Sequence, residues 1–182
     1  VELFLTAHAG AEVSAWVRRW SHLVAADASV LDVACGCGRH LRWFAERGAR
    51  VTGVDRDAAA VAALQGLGRV IVAELEGGPW PLAGERFDAV VVTNYLWRPL
   101  WPSLRASLAD GGVLVYETFA LGNEAFGRPS NPDFLLRQGE LLELCRGLHV
   151  VAYEDGVDDA PLRRVQRIVA VNSTAAHARH RL

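Results

Sequence analysis

The amino-acid sequence predicts an α/β fold: a single domain built on a doubly wound, mostly parallel seven-stranded sheet. Three observations carry this. Short apolar runs alternate with helical patterns in the order βαβαβ and then βαβαββ, with no linker between the halves. Phe87 to Thr93 is almost continuous Val and Ala, the composition of a strand covered on both faces, as in a parallel sheet. The chain has 182 residues, 51% of them hydrophobic. At that size about two-thirds of the extended chain's surface is buried, enough for one full core.

Taken in order, Ser14 to Leu23 places Val13, Trp16, Val17 and Trp20 on one helical face and Arg18 and Arg19 on the other. Residues 1–28 are expected to form an N-terminal helical cap, whose two tryptophans can act as a lid or pack against another chain. Ser29 to Ala34 reads as the first strand. A helix over Arg39 to Arg47 follows, with Leu41, Phe44 and Ala45 inward and Gly48 past its end. Arg50 to Asp55 is the second strand. Asp57 caps a helix carrying Val61 and Leu64, with Gly66 and Gly68 around its end. Val70 to Ala73 is the third strand, Gly77 to Pro81 a loop, and Phe87 to Thr93 the fourth strand.

Pro102 to Leu108 reads as a short helix. Asp110-Gly111-Gly112 turns the chain into the fifth strand, Val113 to Glu117. Ala120 to Phe134 is a long loop rich in Gly, Asn and Pro, of the kind that lines a site. Gln138 to Arg146 is a helix with Leu141, Leu142 and Leu144 buried. His149 to Tyr153 is the sixth strand, Gly156 to Pro161 a polar connection, and Val165 to Val171 the seventh strand. That connection is too short for a helical crossover, so the last two strands are antiparallel. Residues 173–182 form a tail.

Nineteen basic and 21 acidic residues give a net charge of −2, which argues against a general attraction to nucleic acid or to an anionic membrane. The three cysteines, Cys35, Cys37 and Cys145, are odd in number and fit a reduced, cytoplasmic setting. Cys35-Gly36-Cys37 has no second Cys/His pair at zinc spacing, so no metal site is expected. Val1 to Glu12 shows no basic-then-apolar signal pattern, and Ala89 to Val92 is far too short to span a bilayer. The expected oligomeric state is a monomer or a homodimer.

The sharpest feature is Leu31-Asp32-Val33-Ala34-Cys35-Gly36-Cys37-Gly38. A Gly-x-Gly turn follows a strand and opens a helix, so backbone can approach a ligand closely. Asp55 ends the next strand, 19 residues after Gly36, where an acid can accept both ribose hydroxyl protons. A dinucleotide site wants a small residue three places after the second glycine, and Leu41 stands there instead. That weakens the reading as a nicotinamide-dependent oxidoreductase. No Gly-Lys-Ser/Thr follows, which removes a P-loop. Asp32, inside the strand before the turn, needs partners. It either holds the loop's shape or meets a ligand ammonium, directly or through water. His40, at the helix start, is expected to make local packing or carboxylate contacts.

These residues resemble the class I S-adenosylmethionine-dependent methyltransferases, from about Trp16 to Val171. Val30 to Gly38 resembles the family's first motif, with Cys35 where Gly is frequent. Phe87 to Leu96 resembles its fourth strand and the loop beneath the methionine moiety. The resemblance implies the strand order 3-2-1-4-5-7-6, the last strand antiparallel. It also implies S-adenosyl-L-methionine as cofactor, with S-adenosyl-L-homocysteine as product, held by Asp32, Ala34, Cys35, Gly36, Gly38, Asp55, Arg56, Glu74, Leu75 and Asn94. Ser14 to Val17 and Gly122 to Pro129 resemble small bacterial members of the tellurite-resistance type.

Methyl transfer is an in-line displacement that needs alignment more than a base, and no catalytic triad is visible. The expected acceptor-pocket residues follow the fourth and fifth strands: Asn94, Tyr95, Trp97, Glu117, Asn123 and Arg128. An Asp/Asn-Pro-Pro-aromatic motif is absent at Thr93 to Leu96. Neither Cys37 nor Cys145 is well placed as a nucleophile for cytosine. A small-molecule acceptor is therefore expected, a protein acceptor being the next reading and nucleic acid disfavoured. A non-enzymatic nucleoside-binding regulator is the alternative from another class.

Overall fold

The computed structural model describes residues 12–173. The expected tail beyond residue 173 and the part of the N-terminal cap before Glu12 lie outside the described residues. The strands are β1 (Ser29–Val33), β2 (Arg50–Asp55), β3 (Arg69–Val72), β4 (Phe87–Thr93), β5 (Leu108–Phe119), β6 (His149–Asp159) and β7 (Leu162–Val171). They form one seven-stranded sheet in the order β3-β2-β1-β4-β5-β7-β6. The pairs among β1 to β5 are parallel, while β7 runs antiparallel to both β5 and β6. The helices are α1 (Ala15–Trp20), α2 (Arg39–Ala45), α3 (Ala58–Ala62), α4 (Trp101–Ala106) and α5 (Glu140–Leu144).

The period-two alternation of strand side chains divides the core between the two faces of the sheet. On one face Leu31, Val33, Val90, Val92, Leu114 and Tyr116 pack with Trp101 and Leu104 of α4 and Leu141 of α5. On the other, Val30, Ala89, Val91, Val113 and Val115 pack with α1 and α2 through Trp16, Val17, Trp20, Leu41 and Phe44. Trp16 and Trp20 are thus core residues, not a lid. Their rings meet edge to face at 5.6 Å between centroids. Ser14 caps α1, its hydroxyl accepting from the Trp16 and Val17 amides, and Asp57 caps α3 through the Ala59 and Ala60 amides.

Several boundaries differ from expectation. The fifth strand starts at Leu108, and Asp110 to Gly112 lies within it as an irregularity opposite Phe87 and Ala89 instead of a separate turn. The sixth strand continues through Gly156 to Asp159, leaving only Ala160 and Pro161 to turn the chain. The helix after the long loop is only five residues long. Leu142, expected inward, is 43% exposed, and Cys145 fills the core position instead.

The long loop is anchored by Arg98. Its guanidinium donates to the carbonyls of Asp133 (2.7 Å) and Leu135 (2.9 Å) and grips the buried Glu140 carboxylate at 2.7 and 2.9 Å. Glu140 also accepts from the Arg137 amide. Burial opposes its ionised form, but the hydrogen bonds from Arg98 and Arg137 outweigh it and hold this carboxyl below its ordinary range. No helix among the described residues is long and apolar enough to cross a membrane.

Two outcomes follow for stability. Arg98→Ala strands a buried carboxylate and should cost about 3–5 kcal/mol in urea unfolding at neutral pH. Because the folded carboxyl is depressed, the contribution of Glu140 is present above the unfolded value of about 4.3 and is lost as pH falls through the folded value. The stability gap between the native protein and Glu140→Gln should therefore shrink toward acid. Gly68 faces the Val51 carbonyl, and a methyl group there would also stand 2.6 Å from Val51 Cγ2. Gly68→Ala should cost about 1–3 kcal/mol, whereas Gly156→Ala, with open space around it, should stay within about 1 kcal/mol of the native protein.

Candidate active site

At the carboxyl ends of β1 and β4 the chain bends sharply in two places. Ala34 (φ 55°) follows β1 and Asn94 (φ 54°) follows β4, both left-handed although neither is glycine. The Cys35 amide donates to the Val54 carbonyl and the Asn94 amide to the Glu117 carbonyl, so each bend is tied to the neighbouring strand. Two glycines complete the first turn. Gly36 (φ 52°) has nothing within 4 Å of where a Cβ would stand. At Gly38 (φ 72°) a Cβ would sit 2.5 Å from Leu64 Cδ2, so only glycine lets this turn pack on α3's exit. The Cys35 side chain points into the core, where burial and the nearby Asp32 and Asp55 push its thiol pKa up. Only its backbone faces the turn's outer side. The buried Cys145 thiol is likewise pushed up, to about 12.

Two cavities flank this point. A smaller one, about 150 Å³, is lined by Ala34, Asp55, Arg56, Glu74, Leu75 and Tyr95, with Glu76 beside them. Asp55 Oδ2 accepts from the Gly36 amide at 2.7 Å and Oδ1 from the Asp57 amide at 2.9 Å. Five of the ten expected cofactor residues thus meet in one place. Tyr95, expected in the acceptor pocket, joins them, because the left-handed bend at Asn94 sends the two residues to different sides. Trp97 lines neither cavity and packs partly buried against the core.

The larger cleft, about 730 Å³, is lined by Asn94, Glu117, Asn123 and Arg128, four of the six expected acceptor residues, with Phe119 and Phe126. Asn123 is itself buried. Its side chain accepts from the Arg164 amide and donates to the Pro129 carbonyl, closing the base of the long loop. The same cleft is bordered by Ser14, Arg39, Asp158, Arg163 and Arg167, none of which was expected there.

These residues form a charged wall. Glu117, 1% exposed, accepts from Ser14 Oγ at 2.9 Å, from Arg163 at 3.4 Å and from Arg167 Nε. Arg163 and Arg167 also pair with Asp158, and Arg167 with Glu154. The sheet register accounts for this: Glu117 stands opposite Arg167, Asp158 opposite Arg163 and Glu154 opposite Arg167. Glu154, Asp155 and Asp158 are therefore one side of an ion-pair ladder that runs through the expected polar connection. A signal was available in the sequence: Arg163 and Arg167 are four apart, on one face of a strand.

Beneath the first turn, Asp32 Oδ2 is buried and accepts no hydrogen bond among the described residues. His40 Nδ1 stands 3.6 Å from it, the carboxylate contact expected of that histidine. His40 Nε2 accepts from the Ser14 amide at 3.4 Å. The described residues contain no cluster of three or more His, Cys, Asp or Glu able to hold a metal.

A methyltransferase-domain family matches residues 30–112. No curated protein sequence matches the chain. Among solved structures, TehB from Haemophilus influenzae superposes with a TM-score of 0.72 at 16% identity, covering 87% of this chain, which spans 62% of TehB's length. A TehB-like SAM-dependent methyltransferase from Corynebacterium glutamicum gives 0.64 at 21% identity, covering 89% of each chain. An S-adenosylmethionine-dependent methyltransferase from Mesorhizobium loti gives 0.65 at 18%, covering 84% of this chain and 97% of its own. Residues 30–112 are therefore similar to a methyltransferase domain, and the sheet that contains them, in the order β3-β2-β1-β4-β5-β7-β6, has the fold of these S-adenosylmethionine-dependent methyltransferase structures.

Proposed function

We propose that this domain transfers the methyl group of S-adenosyl-L-methionine to a small-molecule acceptor held in the larger cleft. The observation that carries this reading is the Asp55–Gly36 bond at the mouth of the smaller cavity. It sets a carboxylate at the tip of β2 against the open first turn. Each Asp55 oxygen accepts one backbone amide and keeps a lone pair, so the carboxylate can take both hydroxyls of a ribose. Ala34, Leu75 and the Tyr95 ring offer apolar surface to an adenine, with Arg56 and Glu74 at its edge. Gly36 leaves room for the chain beyond the sugar, and the orphaned Asp32 oxygen suits an ammonium reached directly or through water. When bound, S-adenosyl-L-methionine supplies an electrophilic methyl on a positively charged sulfur.

Asn94 lines the larger cleft and Tyr95, the next residue, the smaller cavity, so in this reading sulfur, methyl and acceptor atom line up across the bend between them. A cleft of about 730 Å³ is of the size that holds a small organic molecule. Glu117 is a positioning residue in this reading. Its carboxylate is consumed by Ser14 and two arginines, so it does not serve as a free base. The acceptor then attacks through a group that is already unprotonated, a state favoured beside a guanidinium without a carboxylate partner, such as Arg128 on the cleft's rim.

Calorimetry tests the reading. The protein should bind S-adenosyl-L-methionine and S-adenosyl-L-homocysteine and should not bind NAD; failure to bind either sulfur nucleoside rejects it. Asp55→Ala removes two charge-assisted hydrogen bonds to the sugar and should weaken S-adenosyl-L-homocysteine by about 30- to 100-fold.

A further inference from the structure

The charges around the larger cleft do not cancel. Five arginines border it against four carboxylates, in a chain whose net charge is −2. Most of them are matched: Arg163 and Arg167 pair with Glu117 and Asp158, and Arg18 with Glu12 at 3.3 Å. Arg39 and Arg128 are left without a carboxylate at ion-pair distance among the described residues. Arg39 is half-buried and makes two long contacts to neutral oxygens, the Thr93 hydroxyl at 3.4 Å and the Glu12 carbonyl at 3.5 Å. The remaining acid, Asp159, is exposed at the end of β6, where water screens it more than it screens the half-buried Arg39. Arg128 is exposed, yet its backbone is held. The Asn123 carbonyl accepts from the Phe126 and Gly127 amides, and the Asn123 side chain donates to the Pro129 carbonyl. One buried residue thus ties the chain on both sides of Arg128, so its guanidinium is carried at the cleft by a fixed segment and loses less freedom on meeting an anion.

The same cleft leaves apolar surface in the open. Phe126 is 42% exposed and Leu162 53%, and Phe119, at the end of β5, is half-buried beside them in the lining. Large apolar side chains next to unmatched guanidiniums call for one ligand that brings both an anion and an apolar body. We infer that the methyl acceptor is an organic acid with a body of about the size of a ring, its carboxylate answering the charge of Arg128 and Arg39 and its body lying on Phe126 and Phe119. This rests on the methyl-transfer reading above and adds the substrate class of that site. An inorganic oxyanion would meet the charge but would leave the phenyl rings wet and most of the 730 Å³ unfilled. An amine of the same shape would meet two unmatched cations. An organic acid is also ionised at neutral pH. An acceptor of this class therefore needs none of the proton transfer that Glu117, committed to Ser14 and two arginines, is unable to give.

The test uses three probes of one shape, 3-phenylpropanoate, 3-phenylpropanamide and 3-phenylpropylamine, titrated by NMR into the protein saturated with S-adenosyl-L-homocysteine. The native protein should prefer the acid to the amide by at least about fivefold, as expected for a charge-assisted contact at a partly exposed site, and should bind the amine no better than the amide. Arg128→Gln, at an exposed position, should cut the preference for the acid by at least about threefold while leaving S-adenosyl-L-homocysteine affinity within about twofold. Adding Arg39→Gln should remove what preference remains. Phe126→Ala should weaken acid and amide together. Equal binding of acid and amide, tighter binding of the amine, or no binding of any probe overturns the inference. A preference unchanged in Arg128→Gln overturns it too, as does inorganic phosphate displacing the acid at a concentration below that acid's own Kd. Loss of S-adenosyl-L-homocysteine on Arg39→Gln, with the preference for the acid kept, removes Arg39 from the acceptor's site. Failure of the native protein to bind S-adenosyl-L-homocysteine at all overturns the methyl-transfer reading itself.

Discussion

The site depends on where the sheet changes its direction of winding. From β1 the chain goes through α2, on one face, to β2. From β4 it goes through α4, on the other face, to β5. The two strands lie side by side, yet the segments leaving their carboxyl ends depart to opposite faces, and a crevice opens between them. Among the described residues, Ala34 and Asn94 are the two that combine a side chain with a positive φ, and each sits at one lip of this crevice. The strain at Ala34 is tolerated because the amide that follows it is bonded to β2. The bend at Asn94 is held in the same way by β5. Asparagine tolerates the left-handed region and alanine adopts it only at a cost, so of the two lips the one at Ala34 is the strained one.

The two sides of the crevice have different chemistry. Asp55, Glu74 and Glu76 gather on the side of β2 and β3, around an apolar patch made by Leu75, Ala34 and Tyr95. Toward β5 and β7, Glu117 is buried and would be intolerable alone. The antiparallel register brings Arg167 opposite it and stacks Asp158 and Glu154 behind. Such a ladder contributes little net stability against an apolar alternative, but removing one member leaves buried charge behind. It therefore acts as a rigid wall. Ser14 couples this wall to the N-terminal helix, since one hydroxyl both caps α1 and donates to Glu117.

Much of this was legible in the sequence. Strands β1, β2 and β4 announce themselves because they are covered on both faces, and burial on both faces writes a continuous apolar run. The first turn is legible because close backbone approach requires glycine, and Asp55 because its distance from that turn is set by one helix and one strand. The second half of β6 was not legible. From Glu154 to Asp159 its side chains are satisfied by arginines on β7 and not by burial in oil, so the run has the composition of a loop. Leu142 was misplaced because α5 is too short for a reliable apolar stripe, and the turn Cys145 enters settles which side is buried. Tyr95 and Trp97 were misplaced by a dihedral: nothing in Thr93-Asn94-Tyr95 states that Asn94 is left-handed.

The unequal sides of the crevice also bear on how a transferase could work here without a dedicated base. In transfer from a sulfonium, positive charge leaves the donor sulfur and appears on the acceptor, or negative charge on the acceptor is cancelled. Carboxylates on the donor side favour the cationic ground state and would hinder transfer if they touched the sulfur. They line the smaller cavity instead, with Asp32 beneath the turn. On the acceptor side Arg163 and Arg167 are fully balanced by Glu117, Asp158 and Glu154, but the exposed Arg128 has no ion-pair partner among the described residues and would lower the pKa of an acid placed beside it. An acceptor with an ionisable nucleophile would then already be deprotonated on arrival, and the remaining barrier would be set by alignment and desolvation. This explains in one step why Glu117 can be committed wholly to structure. In the proposed reading Glu117 holds the wall in place, and a guanidinium without a carboxylate partner, such as Arg128, would do the work that a general base otherwise does.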